Sequence, residues 1–300
     1  MRPILILGRS GQLAFELRRT LSPLGKVVAL DRRSEPMVDL AKADSLVAAV
    51  RSFRPKLIVN GAAYTAVDRA EAEPELAMKV NAQAPGVLAE EAKKLDAGLI
   101  HYSTDYVFAG DLNRPYREDD PTGPLGVYGR TKLEGEEAIR AVGASYWILR
   151  TAWVYGERGK NFLLTMLKLM RERESLGVVA DQTGTPTWSR FIAEVTASML
   201  AKTGLELKET LGTYHLTCAG HTSWYGFACQ IRRRAQAFGL LSESVAQVKA
   251  ISSAEYPTPA KRPAYSVLDT HALQDAFAIQ PIAWEEALEL CLEQMAARLS

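Results

Sequence analysis

Three cysteines in three hundred residues, Cys218, Cys229 and Cys291, are too few and too scattered for a thiolate metal site. Their number is odd, so no closed disulfide framework is implied, and the expectation is reduced, mostly buried thiols in a cytoplasmic protein. Long apolar runs are missing too. None approaches the roughly 18 residues of a membrane span, and the opening RPILILG lacks the extended apolar segment of a secretion signal. Charge of neither sign is in excess. The 36 basic and 35 acidic residues leave a net charge of +1 and are interspersed along the chain. That removes the electrostatic footprint of a nucleic-acid or anionic-membrane binder. There is no internal repeat and no low-complexity linker.

What remains is 47% apolar content, enough for a full core. The first half alternates short apolar strands with helix-like stretches. ILIL (4–7), KVVAL (26–30), KLIVN (56–60), GLIHYST (98–104) and SYWILRT (145–151) are nearly wholly apolar, which marks a parallel sheet covered on both faces. The predicted class is α/β, a doubly wound Rossmann fold whose ligands sit at the carboxyl ends of the strands. Texture changes near residue 155. Residues 1–155 read as the dinucleotide-binding domain, and residues 156–300 as a smaller α/β substrate-binding region packed closely on it, with segments free to return to the first. In that second part NFLLTMLKLMRERE (161–174) and RFIAEVTASMLAKT (190–203) are helical, and the proline-rich AEYPTPAKRPAYSVLD (254–269) is extended.

Gly8, Gly11 and Ala14 form GxxGxxA between the first strand and the first helix, with Gln12 and Leu13 inside it. Such a turn lets backbone approach a pyrophosphate seated on a helix N-terminus. Asp31 closes the second strand twenty positions beyond Gly11, where an acid binds the adenosine ribose. Arg32 and Arg33 follow at once and suit a 2′-phosphate. The acid favours NADH and the arginines NADPH, so the sequence points both ways, with NADPH preferred. Ala63, Tyr64 and Thr65 leave the third strand in the small-residue segment GAAYT, and Asp39 and Leu40 are placed to flank the adenine.

Ser103, Thr104 and Asp105 emerge at the end of the fourth strand. Tyr128 and Lys132 sit four apart in GVYGRTKLEGEE, on one face of a helix. A free tyrosine ionises near pH 10, a poor match to neutral catalysis. An ammonium about 5 Å away, at an effective dielectric near 20, stabilises phenolate by roughly 3 kcal/mol, or about 2 pKa units. Lys132 is therefore expected to tune Tyr128. A hydroxyl, a phenol and an ammonium beside a nicotinamide are the apparatus for hydride transfer at a carbonyl.

Taken together, GRSGQLAFEL, NGAAYTAVDRAE, STDYVFAG, PLGVYGRTKLEGE, RTAWVYG, GKNF, DQTGTPT and YPTPAKRP resemble the extended short-chain dehydrogenase/reductases. More narrowly, they are similar to the branch that reduces a 4-keto-6-deoxy sugar carried on a nucleotide. The resemblance runs from one end of the chain to the other. It implies Thr104, Tyr128 and Lys132 as catalytic residues. It implies substrate contacts at Thr104, Asp105, Tyr128, Lys132 and Trp153, the last stacking on the sugar, and more weakly at Asn161, Gln182 and Arg262, whose guanidinium suits a diphosphate. Some such reductases are described as magnesium-linked dimers held by glutamates. Here Glu16 stands at one of those positions but Arg190 at another, so no metal is expected and the partner state is a monomer or weak homodimer. Rival readings remain. A dehydratase lacks its acid, because no glutamate follows Asp105. An epimerase is not excluded, and a non-catalytic nucleotide-binding subunit of this fold would not need Thr104, Tyr128 and Lys132.

Overall fold

The computed structural model describes residues 2–298, so residues 1 and 299–300, at the outer limits of the two expected segments, lie outside it. Strand β1 (Ile4–Leu7) leads into α1 (Gln12–Thr20), followed by β2 (Val27–Leu30), α2 (Ala43–Phe53) and β3 (Leu57–Asn60). Two short helices, α3 (Val67–Ala72) and α4 (Pro74–Met78), pass through a π-helical turn, Lys79–Gln83, into α5 (Ala84–Lys94). Then come β4 (Gly98–Thr104), α6 (Val127–Val142) and β5 (Ser145–Thr151). The second half holds β6 (Val154–Tyr155), α7 (Phe162–Glu172), β7 (Ser175–Val179), β8 (Thr183–Gly184), β9 (Thr187–Trp188) and α8 (Ser189–Thr203). It continues with β10 (Gly212–His215), β11 (Thr222–Ser223), α9 (Trp224–Ala237), β12 (Gln247–Ile251), α10 (His271–Phe277) and α11 (Trp284–Ala296).

The central sheet has six parallel strands in the order β10-β5-β4-β3-β1-β2. Side chains alternate across it. Ile4, Ile6, Leu57, Val59, Ile100, Trp147 and Leu149 enter one apolar cluster, while Leu5, Leu7, Ile58, Leu99 and Ile148 enter the other. Both faces are covered, which is why these strands read as unbroken apolar runs. The first cluster also contains Phe191, Phe227 and Trp284 from the second half. The chain order reverses between β1 and β3, and a ligand crevice opens outside that switch point.

Two elements differ from the sequence reading. Five strands are legible, but the sixth, β10, comes from the second half and pairs with β5. Its GTYH is mostly half-buried at a sheet edge, so it has no apolar run to betray it. Residues 73–95, continuous in pattern, are three helical pieces, because the π turn inserts a residue's worth of extra backbone before α5. Trp147 is core, as expected, and its Nε1–H reaches the Thr210 carbonyl at 2.8 Å.

Candidate active site

β4 is buried along its whole length and delivers Thr104 to its carboxyl end. α6 then returns with its backbone laid on the turn that follows β4: a Cβ added at Gly129 would stand 2.2 Å from the Tyr106 carbonyl oxygen. Only glycine allows that approach, and it brings Tyr128 against the turn. The Tyr128 and Tyr106 rings meet edge-on, with centroids 5.6 Å apart. The first amide of α6, Val127 N–H, is capped by Glu71 of α3 at 2.8 Å. Lys132, one helical turn after Tyr128, is fully buried.

Thr104 Oγ1 donates to Asp105 Oδ1 at 3.0 Å and accepts from the Tyr106 amide at 3.2 Å. A hydroxyl has one proton to give. With that proton on Asp105, Thr104 meets the Tyr128 phenol as an acceptor. Burial pushes the Tyr128 phenol up to about 12, and the Asp105 charge adds to the rise. The net lowering of Tyr128 expected from Lys132 is therefore not what the structure holds: burial decides the direction. Lys132 Nζ is turned to His101 Nε2, 3.0 Å away, and to the Tyr102 carbonyl, 2.6 Å away. Burial brings Lys132 itself down to about 8, against the pull of Glu136. Asp105 is raised by burial to about 6 despite bonds from its neighbours. Ser103 is buried beside this trio, near Glu136.

The residues around the β1 and β3 ends fit a dinucleotide. Gly8 has φ +101°, and a Cβ there would be 2.9 Å from Ala62 Cβ, so only glycine lets the two loops close this tightly. No side chain caps α1, whose N-cap is Gly11, so its first amides are free for an anion. Leu13 is a core residue, leaving its main chain alone for the cofactor. Gln12 donates to the Val154 carbonyl and accepts from Asn161, which ties the turn to the second half. Asp31 accepts from the Ser10 and Arg33 amides at 3.1 and 2.8 Å, and these bonds, against a burial penalty, hold its carboxyl below the usual range. A cleft of about 600 Å³ opens beside it, lined by Arg9, Arg18, Arg33 and Arg158 with Phe15. Both Arg32 and Arg33 are exposed, and of the two only Arg33 lines this cleft. Arg9 and Arg158, which the sequence did not single out, line it as well. Asp39 caps the Ala41 amide, and Leu40 packs on the second core cluster. Ala63 and Tyr64 are partly buried and Thr65 exposed in the loop after β3. Asn81, on the π turn, pins that loop: its Oδ1 accepts from Tyr64 N–H at 2.8 Å, and its Nδ2 reaches the Tyr64 carbonyl and Thr131. Nothing in the sequence marks Asn81 except an amide inside a helical run.

The model of the RmlD substrate binding domain family matches residues 1–297. A dTDP-4-dehydrorhamnose reductase of Burkholderia thailandensis is 45% identical over 296 residues, 97% of this chain and 98% of that one. The chain belongs to this reductase family. It is accordingly a nicotinamide-dependent oxidoreductase. The crystal structure of a dTDP-4-dehydrorhamnose reductase from Clostridium acetobutylicum superposes with a TM-score of 0.88 at 36% identity, covering 98% of this chain and 99% of that chain. One from Bacillus anthracis, in complex with NADP, gives 0.86 at 34% identity with the same coverage.

On the substrate side the structure redistributes several expectations. Trp153, at φ +45°, already stacks on Trp224, with centroids 3.4 Å apart and planes 4° from parallel. Gly184 lies so close to the same indole that a Cβ would overlap it at 2.5 Å. One face of the ring is thus covered by Trp224 and is closed to the expected sugar stacking. Arg262 is bound to Asp68 of α3 at 2.8 Å, contacts Thr258, and lies beside Tyr106. This places it at the mouth of the Thr104–Tyr128 site, though partly neutralised. Asn161 is spent on structure, capping α7 and bonding Gly156 and Gln12. Gln182 donates to Ser253. Arg190, the residue expected to exclude a cation, bonds Glu194 at 2.8 Å. No group of three or more potential metal ligands lies together among the described residues. No described helix is long and apolar enough to cross a membrane.

Proposed function

We propose that this chain reduces the C4 ketone of dTDP-4-dehydro-L-rhamnose to dTDP-L-rhamnose with NADPH, in the cytoplasm. The observation that carries the chemistry is the Tyr128 phenol set beside Thr104 at the carboxyl end of β4, packed edge-on against Tyr106, with burial favouring its protonated form. When bound, the dihydronicotinamide supplies the hydride to C4. Tyr128 gives its Oη proton to the resulting O4 alkoxide. An alkoxide is a much stronger base than phenolate, so a phenol at about 12 still transfers its proton downhill. Until the ketone oxygen takes its place, Thr104 holds that phenol through its acceptor lone pair. The buried Lys132 ammonium stabilises the phenolate left behind until a proton is recovered. Asp105 sets the direction of the Thr104 hydroxyl, and Arg262 faces the diphosphate once substrate competes with Asp68 for it.

Loss of reduced-cofactor absorbance on adding the 4-keto-6-deoxy nucleotide sugar, with the product identified by NMR, tests the reading. Binding of NADPH without turnover on that substrate speaks for a non-catalytic role instead. Arg33, Arg9 and Arg158 around the cleft support the phosphorylated cofactor. Arg33→Gln and Arg158→Gln are expected to weaken NADPH more than NADH, while Arg32→Gln changes little. Equal weakening of the two cofactors would remove the reason for preferring the phosphate.

A further inference from the structure

Asn60, His101 and Lys132 form a buried line across β3, β4 and α6, each 1% exposed. Asn60 Nδ2 is 3.0 Å from His101 Nδ1, and His101 Nε2 is 3.0 Å from Lys132 Nζ. A neutral imidazole has one N–H and one accepting nitrogen. An ammonium only donates, so opposite it Nε2 must accept and the ring proton must sit on Nδ1. That proton needs an acceptor, and Asn60 Oδ1 is buried with no hydrogen-bond partner. A half-turn of the amide brings it to Nδ1. If Lys132 is instead a neutral amine, Nε2–H donates to Nζ and Nδ1 accepts from Asn60 Nδ2 in its present orientation. In either orientation one end of the amide stays unpaired, so the turn itself costs little.

We propose that His101, its Nδ1–H received by Asn60, is a positioning residue for Lys132: it accepts one ammonium N–H, fixes Nζ with the Tyr102 carbonyl, and leaves one donor for the reacting site. The inference rests on the role given to Lys132 above. Burial and the Lys132 charge both hold His101 well below its ordinary range, so the ring stays neutral and able to accept. The other ionisable groups around this part of α6 include Tyr128, Glu136 and Arg140 on the helix, Asp105 and Tyr106 after β4, Glu71 on α3, and Arg150 on β5 bound to Glu136. None is altered by changing His101.

The test compares His101→Leu, His101→Gln and Lys132→Met by kcat against pH, with NADPH affinity as the check on folding, and reads the imidazole tautomer by ¹⁵N NMR. His101→Leu removes an acceptor from a charged donor and is expected to move the alkaline limb of kcat down by about one to two pH units. His101→Gln, whose amide oxygen can accept, restores most of it. In the wild type the Nδ1–H tautomer is expected below the Lys132 transition. A leucine variant that binds NADPH and keeps the wild-type limb overturns the proposal, as does an Nε2–H tautomer at neutral pH. Should the leucine variant fail to bind NADPH, the glutamine variant and the tautomer decide. Full activity in Lys132→Met would instead sink the role of Lys132 itself, a separate failure.

Discussion

In the proposed mechanism Tyr128 has to keep its proton until a ketone arrives, and burial does that better than a tuning cation would. Tyr128→Phe removes the phenolic proton assigned to the ketone while leaving the crevice walls intact. Turnover is expected to fall at least about a hundredfold with NADPH affinity nearly unchanged; near-normal turnover would mean that the proton comes from elsewhere. The neighbours titrate closer to neutrality. Below about 6 Asp105 gains a proton and ceases to be the acceptor that orients Thr104. Above about 8 Lys132 loses the charge that stabilises phenolate. The sign is the same on both sides: activity is lost on leaving the window, so kcat should be bell-shaped between these values, and a flat profile from about pH 5 to about pH 9 would contradict both roles. Thr104, Tyr128 and Lys132 were legible because helical spacing and a strand end define their positions without knowledge of the fold. His101 and Asn60 were not. An isolated polar residue in an apolar strand looks like any satisfied core group until the sheet register sets Asn60 beside His101.

Among the elements, α6 and β5 are clasped by charge rather than by apolar contact alone. Arg150 on β5 bonds Glu136 on α6 at 2.8 Å, with side chains 2% and 0% exposed, and its guanidinium also lies 5.1 Å from the Phe108 ring centre. Breaking the pair leaves the buried Glu136 carboxylate with only the part-exposed Arg140, 2.7 Å away, to compensate it. Arg150→Met is expected to cost about 3–5 kcal/mol in denaturant unfolding, and Glu136→Leu combined with Arg150→Met to recover much of that. If the double variant is no more stable than the single one, the ion pair is not the source of the loss. Because Glu136 is one turn beyond Lys132, the same clasp fixes the depth at which α6 presents its catalytic face. Strand ends and the YxxxK helix could be read from the chain. α9 and β10 could not, since RRRAQA in Trp224–Ala237 masks the apolar face formed by Phe227, Ala228, Ile231 and Ala235, and an edge strand needs only one covered side.

For the molecule as a whole, the boundary near residue 155 is a change of sequence texture that the packing does not respect. Leu13 and Leu17 of α1 share a core cluster with Phe191 and Ile192 of α8. β10 completes the central sheet against β5, and Gln12 in the phosphate turn bonds both Val154 and Asn161. A core shared in this way has no seam along which half the chain can unfold first. Thermal or denaturant unfolding should be a single transition in which probes from both halves coincide. A cofactor that binds only the folded state should then shift that whole transition: NADPH at a hundred times its Kd is expected to add about 2.7 kcal/mol to the stability of the entire chain. Two transitions, with NADPH moving only the one reported by the first half, would show that the halves fold separately and that the cofactor crevice does not depend on the strand and helices returned from the second.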